Sequence, residues 1–137
     1  MQLMKVLTLS VAVAATAASA GAKLKPGLPG EEDINAGLLV VAVADKIRRE
    51  CSDISARFLT ARSYVSSLKE MASERGYTDS EIEAYINDDL EKEKMRMRRN
   101  AFFESRGASN LDPASLCALG QAEIQKQSQI GLLLRTK

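Results

Sequence analysis

Apolar positions along this chain fall into one uncharged, mostly apolar block followed by four stretches with helical spacing. The block, Val6 to Ala18, is preceded by Lys5 and runs into Ala18-Ser19-Ala20. A positive residue, an apolar run and a small-residue motif, in that order, are the parts of a secretory signal peptide. The run is shorter than the roughly 20 apolar residues a spanning helix needs. Cleavage is expected after Ala20, or after Ala22 through Ala20-Gly21-Ala22, with an uncleaved anchor as the alternative. The expected organisation is a signal peptide over 1–20, a flexible leader over 21–32 and a helical domain over 33–137. The leader holds Pro26, Gly27, Pro29 and Gly30, and such a segment is expected to be extended and mobile.

Asp33 is a cap residue placed before Ile34, Leu38, Val41 and Ile47, so a first helix is expected from Asp33 to about Cys51. Leu38-Leu39-Val40-Val41 is apolar nearly all round, which makes this helix central. A strand over Leu38–Val43 is the alternative, weakened by the helical pattern continuing through Ala44 and Ile47. Ile54, Phe58, Ala61, Val65, Leu68 and Ala72 follow steps of four and three, predicting a second helix over 54–75 that stops at Gly76. Thr78 and Glu81 form a capping-box pattern, predicting a third helix to about Arg106, with Gly107 as its stop. Ile82, Tyr85, Ile86, Leu90, Met97, Ala101 and Phe102 supply its apolar side. Asp112-Pro113 starts a fourth helix, carrying Leu116, Leu119, Ile124, Ile130, Leu133 and Leu134 to about residue 134. Gly120 and Gly131 are close to three turns apart, which predicts one face and a close helix–helix approach there. The fold class that follows is all-α: a four-helix bundle-like domain after a cleaved signal peptide.

Composition agrees with helices. Aromatic residues are 4% of the chain and hydrophobic residues 45%, so the core must be built from aliphatic side chains and methionine. The two cysteines, Cys51 and Cys117, are too far apart for a CxxC motif or a zinc knuckle. In an oxidising compartment they are most simply a disulfide, with two buried free thiols as the rival reading. Closing so long a loop stabilises a fold by about 4 kcal/mol in the chain-entropy model. The formal net charge is +1, without the basic excess of a nucleic-acid binder, and no nucleic acid is expected as partner. Histidine is absent, which removes imidazole bases, Ser/His and Cys/His pairs and the commonest transition-metal ligand.

The most conspicuous charged segment is DDLEKEKMRMRR, residues 88–99. Lys92, Arg96 and Arg99 fall on one helical face, a candidate site for an anion, a lipid headgroup or an acidic partner. A solvated face with local ion pairs such as Asp88–Lys92 and Glu91–Lys94 is the simpler use of the same residues. Met95 and Met97 lie within it, fitted for packing against a neighbouring helix more than for holding a copper ion, which needs more soft ligands. Asp88-Asp89 and Glu31-Glu32 are adjacent in sequence and give no two-carboxylate cleft. No catalytic residue, metal ligand or cofactor is assigned.

Four runs carry a resemblance: INAGLLVVAVADKIRREC (34–51), ISARF (54–58), GYTDSEI (76–82) and LCALGQAEIQKQSQIGLLLR (116–135). In them the chain resembles a family of uncharacterised small periplasmic bacterial proteins, all-helical with one disulfide. The resemblance implies export and fold but no activity. It also implies a loose association with genes for a respiratory NADH dehydrogenase. The expected function is a non-enzymatic periplasmic interaction or accessory protein with a protein partner, without a membrane span in the mature chain but with peripheral contact allowed. An acid-stress chaperone, which is likewise small, helical and single-disulfide, is the alternative.

Overall fold

A computed structural model describes residues 25–137; the signal peptide expected over 1–20 and the start of the leader lie outside the described residues. The chain runs through a 3-10 turn (Leu28–Gly30), α1 (Glu32–Glu50), β1 (Ile54–Ala56), α2 (Phe58–Glu74), α3 (Asp79–Asn87), α4 (Asp89–Ser105), α5 (Pro113–Lys126), α6 (Gln129–Leu132) and β2 (Leu134–Thr136). The all-α class holds, with six helices among the described residues where four were expected.

α1 is the axis. Acids in its first turn (Glu32, Asp33) and Arg48 and Arg49 in its last complement the helix dipole. Helices α2, α4, α5 and α6 and strand β1 all pack on it, so its middle, Leu38 to Arg48, has no fully exposed residue. The strand alternative over Leu38–Val43 is overturned: only a helix offers every face to neighbours. Gly37 sets the closeness of α2, since a Cβ there would sit 2.4 Å from a Leu68 methyl.

Three expected helices change at their ends or middles. The second does not begin at Ile54. Ile54 and Ala56 alternate inward in β1, which pairs antiparallel with β2 in the register Ile54↔Thr136, Ser55↔Arg135 and Ala56↔Leu134. Pairing with a distant segment overrides the local helical spacing. Leu68 and Ala72 of the expected stripe are buried, whereas Phe58 and Val65 are exposed. The third helix breaks at Asp88, whose extended backbone ends α3 and whose side chain accepts the Glu91 N–H to cap α4. A short acid competes for backbone donors in this way. The break changes the inward face, so Phe103 is wholly buried while Ile86 and Leu90 are exposed. The fourth helix stops at Gln127, which takes a left-handed conformation at φ 51°, and Ser128 caps the short α6. The Thr78–Glu81 capping box, the Asp112 cap with Pro113 and the stop at Gly107, at φ 72°, stand as predicted.

The larger hydrophobic cluster contains Val43, Ile47, Ile54, Phe103, Leu116, Leu133 and Leu134. The Cys51–Cys117 disulfide lies in it, Cα to Cα 5.2 Å, joining the end of α1 to α5 across 66 residues. A smaller cluster holds Leu28, Ile34, Ala72, Tyr77 and Ile82. Leu28 packs into it from the described part of the leader. Lys25 reinforces this by donating to the Gly76 carbonyl at 2.7 Å and lying 4.7 Å from the Tyr77 ring centre. No helix among the described residues is long and apolar enough to cross a membrane.

A candidate binding groove between α1 and α4

The break at Asp88 lets α3 and α4 bend around α1 and leaves a groove of about 310 Å³ between them. Its floor is apolar: Leu38, Val41 and Ala42 from α1, Tyr85 and Ile86 from α3, and Met95 from α4. Tyr85 is held in place by donating to the Oδ1 of Asn35, and burial pushes its phenol pKa up. Asn35 is itself buried and donates from Nδ2 to the carbonyls of Leu28 and Glu31, both at 2.8 Å. Neither the groove floor nor the role of Asn35 was anticipated from the sequence; an asparagine on the inner side of an otherwise apolar helix was the available signal.

Lys92, Arg96 and Arg99 all line this groove. Their ion pairing is unequal. Lys92 lies 3.8 Å from Asp89 and Arg96 pairs with Glu93. Arg99 donates to Asn100 Oδ1 at 3.2 and 3.0 Å, and no carboxylate among the described residues lies within salt-bridge distance of it. Burial, then the nearby positive charges of Arg49 and Arg96, lower its pKa from the ordinary arginine value. The acids of the groove are committed: Asp45 to Arg48 at 2.6 Å and Arg49 at 2.9 Å, and Glu91 to Lys94 at 2.9 Å. The result is an apolar trough with a cationic rim. Met97 does not join Met95 there and is 65% exposed. Among the described residues no group of three or more Cys, Asp or Glu side chains is placed to hold a metal ion.

The two small residues expected to share a helix face have separate settings. Gly120 lets α5 approach α1 and β1, since a Cβ would sit 2.5 Å from Ile54 Cδ1 and 2.7 Å from Ile47 Cγ2. Gly131 lies in α6, where a Cβ would sit 1.9 Å from the Glu123 carbonyl oxygen. It serves the reversal after α5, because the helix does not continue through it. Glu123, buried at that reversal, has its carboxylate 3.0 Å from Lys126 and 3.7 Å from Arg106. Burial raises its pKa, but Ser128, Lys126 and Arg106 outweigh this and leave it lowered.

Fold and disulfide together define a small, helical, singly cross-linked domain. The chain belongs to the family of unknown function DUF5333, whose model matches residues 26–135. No curated protein and no solved structure matches it.

Proposed function

We propose that the chain is an exported, non-enzymatic interaction protein of the bacterial periplasm, an accessory factor that docks a partner polypeptide belonging to a membrane complex, a respiratory one in the first instance. The groove between α1 and α4 is the observation that carries this reading. Its apolar floor suits the inner face of an amphipathic helix, and Lys92, Arg96 and Arg99 suit acidic residues flanking that face. The signal-like N-terminus and the disulfide support an oxidising compartment.

The test is cross-linking of the tagged, disulfide-bonded chain in native membranes, with wild type beside Arg96→Glu/Arg99→Glu. The expected outcome is one stoichiometric complex, reduced at least tenfold in the charge-reversed variant, on the scale of losing two close charge pairs. The cross-linked partner segment should be acidic and apolar at helical spacing. Equal capture by both proteins would reject the groove as the docking site.

One observation favours the chaperone as a second reading. The smaller cluster is covered by acids: Arg75 bridges Glu31 and Asp33, and Tyr77 donates to Glu31 at 2.9 Å. Protonation of Asp33, whose carboxyl Arg75 holds below the usual range, would loosen the cover over Leu28, Ile34 and Tyr77. Dye binding to exposed apolar surface and protection of clients as pH falls from 4 to 2 would support it; a native, non-binding protein at pH 2 would reject it.

A further inference from the structure

A second surface uses none of the groove residues. Residues 54–69 contain no acid and carry Arg57, Arg62 and Lys69. Residues 124–137 also contain no acid and carry Lys126, Arg135 and Lys137. The antiparallel ladder of β1 and β2 brings these two stretches together. Lys69 pairs with Asp79 and Lys126 with Glu123. With Asp53 as the acid beside the ladder, Arg57, Arg62, Arg135 and Lys137 remain as a locally basic region. α2 begins in it without a side-chain cap, so the positive pole of that helix adds to the field.

From the same place two large apolar side chains project into solvent: Phe58, 67% exposed, and Leu59, 86% exposed. They share one open depression with Arg57 and Arg135. Arg57 Nε donates to the Leu134 carbonyl at 3.1 Å and Arg135 Nε to Ser55 Oγ at 3.0 Å. No carboxylate among the described residues is within salt-bridge distance of either guanidinium. Arg48 lies over the Phe58 ring at 5.8 Å, with its own charge paired to Asp45. The groove differs because its apolar residues form a floor that a polypeptide can fill. Here they stand outward beside unpaired cations, the arrangement by which a protein enters the boundary between headgroups and acyl chains.

We propose that the Phe58–Leu59 tip is a peripheral contact with an anionic lipid surface, the two side chains entering the interface while Arg57, Arg62 and Arg135 meet headgroup phosphates. The disulfide-bonded mature chain is mixed with vesicles of phosphatidylcholine alone or of phosphatidylcholine with phosphatidylglycerol. Sedimentation is expected with the anionic vesicles only, and less of it at high salt. Leu59→Asp should weaken binding roughly tenfold or more, and Arg135→Gln about fivefold, the scale of one cation near a charged bilayer. Leu111→Asp makes the same change at an equally exposed leucine (86%), in a segment with no Lys or Arg from Gly107 to Gln125, and should leave binding as it is. The chain has no tryptophan, so Leu59→Trp supplies a single indole, excited at wavelengths longer than those the three tyrosines absorb, whose emission should shift to the blue on anionic vesicles. Equal binding to both vesicle types, equal loss in the Leu59 and Leu111 variants, an unshifted emission, or association with an acidic peptide and no vesicle would each overturn the proposal.

Discussion

The two hydrophobic clusters of this domain are held by different means. The larger one, around Val43, Ile47, Phe103 and Leu116, is closed by aliphatic packing and the Cys51–Cys117 bond. The smaller one, around Leu28, Ile34 and Tyr77, has fewer apolar side chains and is covered by Arg75, Glu31, Asp33 and Asn35. Apolar burial and a covalent link respond little to pH or salt. Exposed ion pairs and hydrogen bonds to carboxylates respond to both. The larger half carries one buried carboxylate, Glu123, at its α5–α6 edge, whereas the smaller is covered by charged and polar groups throughout, and the groove lies where they meet, its Tyr85 resting on Asn35.

Removing the covalent link should have the largest effect. Cys51→Ser/Cys117→Ser is expected to lower stability by about 4 kcal/mol in denaturant unfolding. A loss well below that would mean packing alone holds the larger cluster. Next comes Gly120→Val, which drives a branched side chain into Ile47 and Ile54 and should cost about 2–3 kcal/mol in thermal unfolding. Valine is the better test because alanine would recover part of the cost as helix propensity.

The smallest global effect belongs to acid. Asp33 has its pKa lowered to about 2 from 3.8, first by its hydrogen bonds to Arg75. A carboxyl depressed on folding adds stability above its unfolded pKa, and that stability is lost as pH falls from about 4 to about 2. Amide exchange should therefore quicken in the opening turns of α1 and around Tyr77 over that window, while the amides around Phe103, which is wholly buried, stay protected. Arg75→Met should remove most of the pH dependence there, leaving the part that the Ile34 N–H supplies to Asp33. Uniform loosening of both clusters would erase the distinction between them.

Local chemistry was legible in the sequence and distant pairing was not. Thr78 with Glu81, Asp112 with Pro113, and Gly107 act within one turn of themselves, so their roles follow from their neighbours. The cysteine pair followed from their number and the expected compartment. Ile54 was misread because its partner, Thr136, lies at the far end of the chain, and local spacing holds no trace of it. Asp88 was missed because a cap inside a long polar helix resembles any other surface acid until the helix beyond it needs a new start. The same division runs through the groove. Lys92, Arg96 and Arg99 share a face by spacing alone, but Leu38, Val41 and Ala42 become its floor only once α4 has settled across α1.

The β1–β2 ladder has a kinetic consequence. Leu133 and Leu134, wholly or nearly buried, complete the wall against which Ile47 and Ile54 rest. A growing chain emits α1 early and those leucines late, so its central helix must wait for the last described residues before that wall is complete. Such long-range closure is slow, and the interval is one of exposure to aggregation and proteolysis. Helper proteins that shield the unfinished chain should matter to this domain more than its small size suggests.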